Sequence, residues 1–441
     1  MSLNPLALIL AAAFSLGVSP PALAAPAKTK PAVKSAKPAA SVPESNEIEF
    51  THQLSAGDAG RLAALVERFN RQQAEGEPLI RLARAEAQRK KPAPLNLVTA
   101  GAMANFLVNK SAFKPVYQVL KENGGALSGG EFSADLLAGE KRDKLNALPV
   151  AFSTPVLFYN KRLFRQAGLD PDLPPKTWRE MQEIAGTLMD NGIGCPYTSS
   201  WPTWVHIDNM SAVSGAPVAD SKGKLGFNGL PQVKHIAMLS SWHKARYFQT
   251  FGRGNEADSH FYSGECAMLT SDAWAHATLR DAPGVELGVT PLPYHDDIYN
   301  ARPGHTLAAG AALWVGAGYK AKDYKVAARF IRFLLAPDIQ IALARTGGFL
   351  PLTETAREAI RSDLLKDEEQ ALDVAYASLQ GKGAERTLRV STLDPVRIIV
   401  DEELEQVWAN KKPAKAALDT AVKRGNAVLS AKPALKKVFS F

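Results

Sequence analysis

Strand-like runs alternate with helices that are apolar on one face from Ile48 to the C-terminal region, and this alternation commits the chain to an α/β fold. IEFTHQL (Ile48 to Leu54) reads as an edge-first strand. GRLAALVERFNRQQ (Gly60 to Gln73) follows as a helix with Leu62, Leu65, Val66 and Phe69 on one face. LNLVTAG (Leu95 to Gly101) is a second buried strand, and in SAFKPVYQVL Pro115 marks a first helical turn, where a missing N–H costs nothing.

The pattern restarts at Thr177. Thr177 and Glu180 form a capping box, and Trp178, Met181, Ile184, Ala185 and Leu188 recur at helical spacing until Gly192 supplies a left-handed stop before a strand at Cys195. Further strands are expected at Cys266 to Ser271 and in VELGVTPLP. GAALWVGAG (Gly310 to Gly318) should lead back towards the first half, followed by a helix with Val326, Ala327, Phe330, Phe333 and Leu334 on one face. Around TGGFLPLT (Thr346 to Thr353) the chain crosses again into a helical C-terminus, where Val400, Leu404 and Val407 share a stripe. At 441 residues the chain exceeds what one core usually supports. Three crossings therefore predict two lobes on a multi-strand hinge: 46–152 with 306–348 in lobe I, and 153–305 with 349–441 in lobe II.

Ahead of this lies an apolar run, Pro5 to Val18, and the small-residue pattern Ala22-Leu23-Ala24, which predict a signal peptide over 1–24 cleaved before Ala25. Residues 25–45, built of Ala, Pro, Lys and Ser, read as a disordered tether. No cysteine follows the cleavage site, so the mature chain is expected free in the periplasm. Four lysines of the +8 net charge, Lys28, Lys30, Lys34 and Lys37, belong to the tether, and no basic motif interleaved with aromatics appears. A nucleic-acid partner is not expected.

Cys195 and Cys266 each open a strand; a disulfide and two buried thiols both remain open readings, and without a matching histidine pattern they make no zinc site. The chain carries no GxSxG elbow, no GxxxxGK[ST] loop and no HExxH pair, which weakens an enzymatic reading, and no cofactor is implied. A metal-dependent hydrolase would need His206 and Asp208 on one ion with Asp272 as a third donor; a polar helix-start or cleft-wall role outweighs it. Trp201 and Trp204 in SSWPTW offer rigid faces for a sugar, polyol or choline-like group, with core packing the competing reading, stronger for Trp204.

The stretch FSTPVLFYNKRLFRQAGLDPDLPPK (Phe152 to Lys176), with WREM, GIGCPY, QVKHIAML, FYSGECAM, GAALWV, PVRIIVDEELEQVW and LDTAVKRGN, resembles the periplasmic glycerol-3-phosphate-binding family of ABC importers. The resemblance implies a bilobal periplasmic-binding-protein fold of type II, maltose-binding-protein-like. It also implies a monomeric, non-enzymatic receptor that passes a small polar solute (glycerol phosphate, a glycerophosphodiester or a polyol) to permease subunits in the inner membrane. The family's ligand positions fall on Ser153, Gly310 and Arg397, which are retained. It departs near Gly101, where a glutamate is replaced, at Asp272, where a serine is replaced, and at Phe349, where a tyrosine hydroxyl is lost. Asp272 beside a dianionic phosphate would repel it, whereas Asp272 paired with Arg397 would present a neutral wall suited to a polyol, a sugar or a zwitterionic glycerophosphodiester. The competing expectation is an interaction or sensor module that no longer transports.

Overall fold

The computed structural model describes residues 46–54, 56–86, 91–99, 110–126, 144–220, 222–297, 304–347, 349–361, 366–379, 390 and 393–431. The expected signal peptide and tether, and Gly101, lie outside the described residues.

Among the described residues, eleven strands fall into two sheets: β1 (Glu47–His52), β2 (Leu79–Arg84), β3 (Leu95–Thr99), β4 (Phe113–Lys114), β5 (Leu148–Ser153) and β11 (Ala309–Gly316) form the first, and β6 (Pro155–Asn160), β7 (Cys195–Ser199), β8 (Phe248–Gln249), β9 (Cys266–Asp272) and β10 (Leu287–Thr290) the second. The first runs β2-β1-β3-β11-β4 with β5 also on β11; the second runs β10-β6-β9-β7-β8. β1 is therefore interior, not the edge strand its position in the chain suggests. The helix Ala56–Asn70 carries the chain over the sheet and lays β2 outside β1 in parallel register. That helix starts earlier than its apolar stripe and stops at Asn70, whose side-chain amide bonds both the N–H and the C=O of Ile80 and ties the helix end to β2.

Local signals explain most of the remaining elements. Thr177 Oγ1 accepts the Glu180 N–H while the Glu180 carboxylate accepts the Thr177 N–H, so the capping box forms at the start of Trp178–Asp190. Gly192 follows with φ +84°, the conformation only glycine adopts cheaply. Pro115 stands one position earlier than the sequence suggests, as the residue that caps Val116–Glu122. One element has no signature of its own: Trp204–Asn209 is a π-helical turn with all six residues buried, in a stretch the sequence reads as a polar helix start or cleft wall.

The chain passes between sheets at Ser153–Pro155, where β5 ends and β6 begins, and again between β10 and β11. Both faces of β6 are covered. Val156 and Phe158 pack into the core shared with the first sheet, and Leu157 and Tyr159 into a second core completed by the helices Asp394–Trp408 and Ala414–Ala431. Val400, Leu404 and Val407 lie in that second core, and Phe330 sits edge-on to Phe50 and Phe69 in the first. Among the described residues, no helix is long and apolar enough to cross a membrane.

Cys195 and Cys266 face each other across β7 and β9 and form a disulfide, which decides between the two readings left open above. Both are buried, and the bridge closes a loop with a sequence separation of 71. By its restriction of the unfolded chain such a link contributes typically 2–4 kcal/mol. The Cys195→Ala/Cys266→Ala double variant is accordingly expected to unfold at lower urea, by about 3 kcal/mol of stability. An unchanged midpoint would mean that the strand pairing needs no staple.

Candidate functional site

The polar side chains singled out from sequence meet where the chain crosses between the sheets. Ser153, the last residue of β5, is buried and its Oγ accepts the N–H of Trp274 at 3.3 Å. Trp274 Nε1 donates to the Phe152 carbonyl at 2.8 Å, and its ring meets Phe349 edge-on with centroids 4.3 Å apart. Phe349 thus takes part through its ring, and its neighbour Leu350 donates its N–H to the same Phe152 carbonyl. Gly310 lies opposite Phe152 and Ala309 opposite Ser153 in the β5–β11 pair. Behind them the Thr154 and Thr306 hydroxyls bond to one another and tie the two segments that connect the sheets.

Asp272 ends β9, two residues before Trp274. Its Oδ2 accepts the Trp201 indole N–H at 3.0 Å, whereas Oδ1 is buried and, among the described residues, meets no donor at hydrogen-bonding geometry. Burial, and then the nearby Asp258 carboxyl, push its pKa up to about 7, against the opposing pull of the Trp201 N–H and the N–H groups of Trp274 and Ala275. Burial also raises Asp258, which accepts from Ser200 Oγ at 2.7 Å. Trp201 itself is more than one-third exposed and holds φ +53°, a left-handed backbone that is costly for a bulky residue. Its N–H donates to the Gly254 carbonyl at 2.7 Å, which anchors the turn.

Arg397 does not pair with Asp272. Its Nη1 donates to Asp401 at 3.0 Å and its Nη2 to Asp394 at 3.4 Å, both on its own helix one turn away. That helical spacing places the acids beside the guanidinium before any distant carboxylate can reach it. Asp401 is buried, accepts from Thr203 Oγ1 at 2.5 Å, and has its pKa raised by burial against the pull of Thr203 and Arg397. Through Asp401 and Thr203, Arg397 is tied to the turn that carries Trp201. The neutral wall expected from an Asp272–Arg397 pair is therefore absent: the cation and the half-titrated acid stand on separate partners.

Of the other candidates, Trp204 is buried against Val205 and Leu292 as core packing predicts, yet its indole Nε1 meets no acceptor among the described residues. His206 and Asp208 face different partners. Asp208 accepts the Val390 N–H at 2.8 Å, and His206 faces a second histidine. Among the described residues no cluster of His, Cys, Asp and Glu is arranged to hold a metal. The residue sequence reasoning missed is Trp274, which joins Ser153, Phe152 and Phe349. Its position directly after a strand-ending Asp272-Ala273 is the signal that would have pointed to it.

Residues 68–371 match the profile of the family described as bacterial extracellular solute-binding protein. Among curated relatives, the sn-glycerol-3-phosphate-binding periplasmic protein UgpB of Yersinia pseudotuberculosis is 35% identical over 408 residues, 87% of this chain and 92% of the relative. The protein of the same name from Escherichia coli is 37% identical over 351 residues, 77% of this chain and 80% of the relative. Solved structures share the fold at low identity. UgpB from Mycobacterium tuberculosis in complex with glycerophosphocholine superposes with a TM-score of 0.71 at 20% identity, covering 88% of this chain and 99% of that one. Maltose-bound MalE3 of T. maritima does so with 0.68 at 16%, covering 87% and 99%.

Proposed function

Because the chain belongs to the bacterial extracellular solute-binding protein family, we propose that it is the periplasmic receptor of an ABC importer, taking a glycerophosphodiester or glycerol 3-phosphate between two lobes and delivering it to the membrane permease. The division into lobes of 46–152 with 306–348 and 153–305 with 349–441 is part of this proposal. The observation that carries it is the convergence of Ser153, Trp201, Asp272, Gly310 and Phe349 at the strand crossings, with Arg397 tied in through Asp401 and Thr203. Ser153 and Arg397 supply hydroxyl and guanidinium groups suited to a phosphate. Trp201 supplies an aromatic face, and the Trp204 Nε1–H is a buried donor that meets no acceptor among the described residues. Closure of the lobes on the ligand would then create the form the permease distinguishes, a population shift driven by tighter binding to the closed state.

The separation of Asp272 from Arg397 sharpens the ligand. A phosphomonoester carries close to two negative charges at neutral pH and a phosphodiester one, so the repulsion from a partly ionised Asp272 is smaller for the diester. Titration calorimetry at pH 7.5 is expected to rank glycerophosphocholine above glycerol 3-phosphate and both above glycerol. Tighter binding of glycerol 3-phosphate would reverse the assignment within the class, and absence of heat with all three would remove the receptor reading.

A further inference from the structure

A chain of buried polar side chains runs through the second lobe with no part in the ligand contacts above. Ser199 Oγ lies 3.1 Å from the Ser200 carbonyl, Thr270 Oγ1 2.8 Å from Ser199 Oγ, and Tyr197 Oη 2.7 Å from Thr270 Oγ1. His206 Nε2 is 3.5 Å from Tyr197 Oη, the longest link. His206 Nδ1 is then 3.0 Å from His235 Nε2, and His235 Nδ1 is 3.1 Å from His295 Nε2. All seven residues are buried, and the three imidazoles come from the π-turn, the helix Leu230–Lys244 and the segment after β10.

The direction of every proton follows by elimination from one end. A carbonyl has no hydrogen, so Ser199 must donate to Ser200 and can only accept from Thr270. Thr270 commits its single proton to Ser199 and so accepts from Tyr197, and Tyr197 in turn accepts from His206. His206 therefore carries its proton on Nε2. Its bare Nδ1 accepts from His235 Nε2–H, whose own Nδ1 accepts from His295 Nε2–H. Burial holds all three imidazoles below their ordinary pKa, consistent with neutral rings.

The far end of this chain is the peptide that bears Trp201. Ser199 holds the carbonyl of the Ser200–Trp201 peptide, Gly254 holds its N–H, and the Ser200 N–H is fixed on the Thr270 carbonyl at 2.9 Å. We infer that the imidazoles of His206, His235 and His295 form a one-way hydrogen-bond wire, each in the Nε2–H form, which positions the left-handed Trp201 turn at the lobe junction. The importance of this turn for affinity rests on the proposed ligand role of Trp201; the wire itself does not. These histidines are positioning residues that touch no ligand.

The test uses the full chain labelled with ¹⁵N in histidine and tryptophan. Long-range ¹H–¹⁵N spectra at pH 7 are expected to show three buried imidazoles protonated on Nε2 alone; an Nδ1–H or doubly protonated ring among them overturns the wire. His235→Phe keeps a ring in the core but cuts the relay. It is expected to melt cooperatively yet shift the Trp201 indole N–H resonance, identified as the peak lost in Trp201→Phe, and to bind glycerophosphocholine about tenfold more weakly. His243→Phe on the same helix should do neither. An unmoved indole peak in His235→Phe overturns the positioning role. Should that variant not fold, His295→Phe cuts the wire at its outer end and is read in the same way. The tautomer and indole readouts need no ligand, so a wild-type protein that ignores glycerophosphocholine would count against the receptor reading alone.

Discussion

Arg397→Ala is expected to weaken glycerophosphocholine binding by about a thousandfold, which is ~4 kcal/mol. Two losses combine. The first is the proposed charge-assisted contact with the phosphate: among the described residues the guanidinium donates to Asp401 and Asp394, and its planar fork carries further donors suited to an anion. The second is the field left behind, since Asp401 is buried and would face an incoming phosphate without its strongest neighbouring cation. Arg397→Lys retains the charge but not the fork, so it should recover only part of the affinity. Urea unfolding of the same variants separates binding from folding. If Arg397→Ala binds within threefold of the wild type while losing stability, the guanidinium serves only to hold Asp401, and the phosphate lies elsewhere.

What the sequence discloses about this protein divides by distance along the chain. Features made by residues within a few positions of each other were legible: the Thr177–Glu180 capping box, the left-handed Gly192, and the buried stripe of Val400, Leu404 and Val407. Each depends on helical spacing or on the conformational freedom of one residue. The partner of Arg397 was also local, four residues away, but the competing expectation placed it on Asp272, which turned out to be engaged by an indole 71 residues distant. Trp274 against Phe152, and His235 against His206 and His295, are pairings of this second kind. No propensity or periodicity encodes them, because they are set by which strand lies beside which. The π-turn at Trp204–Asn209 escaped for a related reason: its one-residue excess over a regular helix removes the periodic pattern that marks helices in sequence.

Asp272→Asn is expected to make the protein more stable at pH 8 and scarcely different at pH 4. With its pKa near 7 in the folded protein and about 3.9 in the unfolded chain, the carboxyl binds more protons folded than unfolded between those values. Stability therefore falls as pH rises through that window and stays low above it. Three pH units correspond to ~4 kcal/mol at most; the partial exposure of Asp272, and the need of a new amide N–H for an acceptor, reduce the expected gain to about 2 kcal/mol. The amide oxygen can still accept the Trp201 indole N–H, so the turn is retained. Urea midpoints of the two proteins at pH 8 and pH 4 check the sign, and a gap that fails to widen with pH would show that the carboxyl carries no such strain. The same substitution should improve glycerol 3-phosphate binding at pH 8 by about tenfold, by removing a charge from beside the dianion. Glycerophosphocholine should gain less, and an equal gain for monoester and diester would remove Asp272 from the proposed discrimination between them.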